Sequence, residues 1–98
     1  MHQALERITK SVETYSAGDL SRSLTTIELV SAFKVVNKND VVDPKDLESS
    51  VQNYIGAVLG HLDTGELSKA QTVSELRRVY EAAHNNDPNI MAYMAGYN

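Results

Sequence analysis

Apolar residues recur at helical spacing along most of the chain. Leu5, Ile8, Val12 and Tyr15 are three or four positions apart, which puts them on one face of a helix that Gly18 ends. Leu20, Leu24 and Ile27 continue the same spacing, Val30, Phe33 and Val36 extend it, and Asp19 or a Thr25–Glu28 capping box can start this second segment. The stretch TIELVSAFKVV is rich in β-branched residues. A strand there would lack a partner of alternating pattern elsewhere in the chain, and its backbone groups would go unsatisfied, so helix is the expectation.

A polar loop, NKNDVVD, separates this segment from Asp43-Pro44. An acidic cap followed by proline starts a helix well, because proline has no N–H to leave unpaired and its φ is already helical. Leu47, Val51, Tyr54, Ile55, Val58 and Leu62 then form an apolar stripe that predicts a long central helix, ending at Asp63-Thr64-Gly65. In the next segment Thr72 and Glu75 have capping-box spacing, and Val73, Leu76, Val79, Tyr80 and Ala83 predict the buried face. Leu67 and Ala70 form either a preceding turn or a backward extension of that helix. Asn85-Asn86 ends it, and Asp87-Pro88 repeats the cap-plus-proline start ahead of Ile90, Met91, Met94 and Tyr97.

The expected fold is therefore all-α: one domain, a compact bundle of four to five short helices. A chain of 98 residues has room for a single core. The N-terminal MHQALERITKSVETY is too often interrupted by charge to be a signal peptide or a membrane span, so a cytoplasmic protein with no membrane partner is expected.

Composition narrows the chemistry. The absence of cysteine excludes a disulfide framework, a thiolate zinc site and a cysteine nucleophile, and it fits a reducing compartment. A net charge of −4 makes nucleic acid an unlikely partner, since phosphate binding needs a basic face. A helix-turn-helix regulator reading the groove with Arg77 and Arg78, with Lys69 upstream, is the main alternative, although Glu75 and Glu81 flank the arginines. No serine sits in a nucleophile elbow, the three histidines define no triad, and Gly56 and Gly60 fall inside a helix instead of a phosphate loop. The chain is accordingly not expected to be an enzyme or to carry a cofactor.

Two metal candidates are weaker than their spacing suggests. Glu81 and His84 form one E-x-x-H, where carboxylate-bridged di-iron bundles use two together with further glutamates. His61, Asp63 and Glu66 cluster at a helix end, where such residues also serve as caps. No metal site is assigned.

Two features favour association. GAVLG places Gly56 and Gly60, with Ser49 and Asn53, opposite the apolar stripe of the central helix. Glycine inside a helix costs about 1 kcal/mol relative to alanine, and close approach of another backbone would offset it. The final stretch, DPNIMAYMAGYN, has no lysine or arginine but carries residue types enriched at interface centres. It forms either a short fifth helix docking Ile90, Met91 and Met94 onto the third and fourth helices or a cover for a partner, and both hold if its tyrosines face outward. The expected function is that of a small acidic accessory protein acting through protein–protein interaction (an adaptor, inhibitor or assembly factor), as a homodimer. Tyr93, Met94, Tyr97, Gly56 and Gly60 are the expected contact residues.

Overall fold

The computed structural model describes residues 2–33, 44–85 and 87–97, and their side chains except at 2 and 44–48. Five helices are present among the described residues: α1 (His2–Ser16), α2 (Arg22–Phe33), α3 (Pro44–Thr64), α4 (Lys69–His84) and α5 (Ile90–Gly96). No strand occurs among the described residues, so the β-branched stretch is helical as far as Phe33. Val36, the 37–43 loop with its Asp43 cap, Asn86 and the Leu47 side chain lie outside the described residues. None of the described helices is long and apolar enough to cross a membrane.

Two glycines close helices as the sequence suggests. Gly18 takes φ +84° just beyond α1, and the Gly18 and Asp19 N–H groups reach the carbonyls of Tyr15 and Thr14. These bonds satisfy groups the helix end would otherwise leave unpaired. Gly65, at φ +83°, does the same after α3 by donating to the Leu62 carbonyl.

Three helix starts depart from expectation, and two of the departures share one cause. Helix α4 is capped by Ser68, not Thr72. Ser68 Oγ accepts from the Gln71 N–H at 3.1 Å, and the Gln71 side chain returns to the Ser68 N–H at 2.8 Å, a reciprocal capping box. Helix α2 begins the same way, with Ser21 Oγ accepting from the Leu24 N–H at 3.2 Å, and neither Asp19 nor Thr25 is the cap. In both helices the threonine taken for a cap lies one turn inside and is fully buried. It is satisfied because Thr25 Oγ1 donates to the Ser21 carbonyl and Thr72 Oγ1 to the Ser68 carbonyl, each at 2.8 Å. At the chain's end, α5 starts at Ile90 instead of Pro88. Asp87 forms a turn in which its carboxylate accepts the Asn89 N–H at 2.9 Å.

The core joins Leu5, Ile8 and Val12 of α1, Leu29, Ala32 and Phe33 of α2, Val51, Tyr54, Ile55, Val58 and Leu59 of α3, and Leu76, Val79 and Tyr80 of α4. Helix α2 lies against α1 and α3, while α4 packs on α1 and α3. The rotation of α2 differs from the expected one. It buries Thr25, Leu29, Ala32 and Phe33 and turns Leu24 and Ile27 outward. Phe33 sets this rotation: its ring meets Tyr80 edge-on at 5.5 Å, and burying Phe with Leu and Ala outweighs burying Leu with Ile. Thr25 can enter the core at little cost because its hydroxyl is already paired.

The caps give a direct test. Replacing Ser68 with alanine should lower unfolding free energy by about 1 kcal/mol in a urea titration. If Ser68 is not the cap, the change will fall within a few tenths of a kcal/mol of zero.

Candidate functional site

The best-organised polar cluster gathers around Glu75, the residue whose spacing suggested a helix cap. Because Ser68 and Gln71 cap α4, Glu75 lies about two turns in and points across to α3 and α5. Tyr54 of α3 donates its hydroxyl to Glu75 Oε2 at 2.8 Å. Tyr93 of α5 donates to the same carboxylate, with oxygen distances of 3.1 and 2.9 Å. Arg78 Nη2 reaches both carboxylate oxygens, at 3.0 and 2.9 Å, and also the Tyr93 hydroxyl oxygen at 2.7 Å. Its guanidinium lies 5.0 Å from the centre of the Tyr93 ring, a cation–π distance.

Aromatic rings surround this contact. Tyr97 meets Tyr54 edge-on at 5.1 Å and His61 edge-on at 5.7 Å, and it lies 6.0 Å from Tyr93. The rings fill the space between them, and Arg78 supplies their cation. The cluster thus fastens α5 to the bundle. Beside it is an open groove of about 350 Å³ lined by Leu67, Ala70, Gln71, Ser74, Glu75 and Arg78.

The electrostatics follow from this packing. Burial pushes the Glu75 carboxyl up, but the hydrogen bonds from Tyr54, Arg78 and Tyr93, with the Arg78 charge, outweigh it and hold its pKa below the ordinary value. Burial, and then the Glu75 carboxylate, drive the Tyr54 hydroxyl far above its ordinary value, and the same causes raise Tyr93.

A second cluster ties α1 and α2 to the end of α3. Asp63 accepts from the Tyr15 hydroxyl at 2.6 Å and from Arg22 Nη1 at 3.1 Å. Arg22 also donates through Nη2 to the Gly56 carbonyl at 2.8 Å. A Cβ on Gly60 would meet Arg22 Nη2 at 3.6 Å, an ordinary contact, and one on Gly56 would find open space, so the packing among the described residues does not demand either glycine. Among the described residues no other backbone approaches the GAVLG face; the group lying on it is the Arg22 side chain of the same chain.

The residues expected to contact a partner are therefore dispersed. Met94 is 1% exposed and lies in the chain's own core. Tyr97 is half-buried against Tyr54 and His61, and Tyr93 is 37% exposed, with its hydroxyl engaged by Glu75 and Arg78. Gly60 lies beneath Arg22, whereas a side chain at Gly56 would find open space.

The other candidates separate as well. Asp63 turns to Tyr15 and Arg22, while His61 Nδ1 meets Glu66 at 2.8 Å. His84 stacks on Tyr80 at 6.0 Å, with Nδ1 buried and unpartnered among the described residues. Among the described residues no three His, Cys, Asp or Glu side chains come together as a metal site. Arg78 is committed to Glu75, and Arg77 lies 3.5 Å from Thr9 Oγ1.

Sequence reasoning missed the outward face of α2. There Leu24 is 53% and Ile27 63% exposed, one turn apart, with the exposed Ser23 and Ser31 beside them. The signal was present in the sequence: α2 carries two apolar sets, Leu24–Ile27 and Leu29–Ala32–Phe33, and one helix cannot bury both on the same side.

Glu75 makes stability depend on pH in a definite direction. Its folded pKa is depressed, so its contribution is present above the ordinary carboxylate range, near about 4, and is lost as pH falls through the folded value. Denaturation midpoints should therefore drop on acidification, and Glu75→Gln should be less stable at pH 7 with a flatter acid limb. An unchanged acid limb would remove Glu75 from this role.

No family model matches the chain, and no curated protein or solved structure matches it.

Proposed function

We propose that this chain is a small helical accessory protein that works by binding protein, as an adaptor, inhibitor or assembly factor, and that it self-associates as a homodimer. The observation that carries this reading is the outward face of α2. Leu24 and Ile27 are the most exposed large aliphatic side chains among the described residues, and they stand together on one helix face. The nearest charges on α2 are occupied: Arg22 binds Asp63, and Glu28 pairs with Arg7 of α1 at 3.5 Å. What remains between them is an apolar and hydroxylated strip suited to a non-ionic partner surface.

Composition adds support. An acidic chain with its best-placed arginine held by Glu75 is poorly suited to phosphate, and the organised polar clusters are filled by their own partners. Tyr93 and the open side of Gly56 remain at the surface as secondary contacts. Met94 and Tyr97 contribute by holding the last helix in place.

The test combines sedimentation with capture of partners from native extract. The double variant Leu24→Glu/Ile27→Glu should keep its helical content and stay within about 0.5 kcal/mol of the parent stability, because both side chains already face water. It should lose self-association and partner capture together. A parent that sediments as a monomer at high concentration, and a variant that captures the same proteins, would overturn the reading.

A further inference from the structure

Helix α5 has too few residues to stand alone. At seven residues it is well below the length at which an isolated helix persists in water. Its N-cap, Asn89, makes no side-chain capping bond. Tertiary contact therefore holds it, and that contact is with α3 and α4. Ile90 and Met94 supply the buried anchors, and Tyr93 and Tyr97 lie over Tyr54.

The described residues of the connection before α5 bond to one another and to α4. The Asp87 N–H donates to the Ala82 carbonyl at 2.9 Å, Asn89 N–H to the Asp87 carboxylate at 2.9 Å, and Ile90 N–H to the Asp87 carbonyl at 3.3 Å. These bonds stay within the turn and the last turns of α4. The helix can swing away while most of them remain.

Glu75 decides what opening costs. The groups facing it are Tyr54 from α3, Arg78 from its own helix, and Tyr93 with the nearby Tyr97 from α5. When α5 leaves, Glu75 still keeps Tyr54 and Arg78. Opening therefore strands no buried charge, which would be the expensive outcome. It forfeits the Tyr93 contact and the burial of Ile90, Met94 and Tyr97, while the remaining core residues, from Leu5 to Ala83, all lie on α1 to α4. Partial opening of this kind falls below global unfolding in free energy.

We propose that α5 is a latch that opens as a unit on a folded α1–α4 body and uncovers Tyr54, with the Tyr93–Glu75–Arg78 contact as its catch. The latch gives the molecule two surfaces on the α3–α4 side: a closed one bearing Tyr93, and an open one bearing Tyr54 and the seats of Ile90 and Met94. This is independent of the α2 face and stands whether or not that face binds protein.

Native-state amide hydrogen exchange on the full chain, followed residue by residue, tests it. The Met94, Ala95 and Gly96 amides should be protected relative to free peptide. They should still exchange at least about tenfold faster than the Ile8 and Val12 amides, with a weaker dependence on denaturant. Val12→Ala removes packing in α1 that the latch does not use, so it should speed α1 exchange and leave α5 exchange unchanged. Tyr93→Phe removes the catch and should speed α5 exchange by roughly fivefold to tenfold. Should Val12→Ala fold poorly, Ile8→Val serves the same purpose more gently. The latch is excluded if α5 and α1 accelerate together in the α1 variant with one denaturant slope, or if the α5 amides are unprotected. Unchanged α5 exchange in Tyr93→Phe would refute the assigned catch.

Discussion

One carboxylate connects the pieces of this bundle. Glu75 stands at the meeting point of α3, α4 and α5 and accepts from a tyrosine of each neighbouring helix and from an arginine on its own. A half-buried charge needs several donors to offset the water it gives up, and each donor is fixed by that need. Tyr54 is drawn into the core with its hydroxyl paired, Arg78 folds back along α4, and Tyr93 brings the chain's last helix down onto the bundle. The aromatic contacts of Tyr97 and the burial of Met94 are possible only with that helix seated.

The same logic of occupied polar groups runs through the rest of the molecule. Arg22 covers the glycine face of α3 and pairs with Asp63, which also takes Tyr15, so three helices meet at one exposed aspartate. Buried Thr25 and Thr72 are paired to carbonyls one turn back. With these polar groups engaged, the most exposed large aliphatic side chains among the described residues are Leu24 and Ile27 on α2. That contrast directs the functional reading toward protein contact.

Much of the fold was legible in the sequence because its signals are local. Helical spacing gave α1, α3 and α4, Gly18 and Gly65 gave two helix ends, and Pro44 gave the start of α3. Where reading failed, two local solutions competed and tertiary packing chose between them. Thr72–Glu75 and Ser68–Gln71 both have capping spacing, and only the demand for Glu75 beside Tyr54 separates them. Leu24–Ile27 and Leu29–Phe33 are both helical stripes, and the Phe33–Tyr80 contact, between residues far apart in sequence, settles the rotation. The tail was recognisable as a helix with anchors, but which of its residues are core required the partner helices. Met94 was therefore legible both as an anchor on the third and fourth helices and as a partner contact, and it lies inside.

A double-mutant cycle across Glu75 and Tyr93 tests the central claim most directly. Unfolding free energies of the parent, Glu75→Gln, Tyr93→Phe and the double variant at neutral pH isolate the energy of that one contact. A coupling of about 1 kcal/mol is predicted, as for a hydrogen bond to a partly buried charge. Additive single effects, with coupling near zero, would show that the carboxylate does not hold the last helix in place.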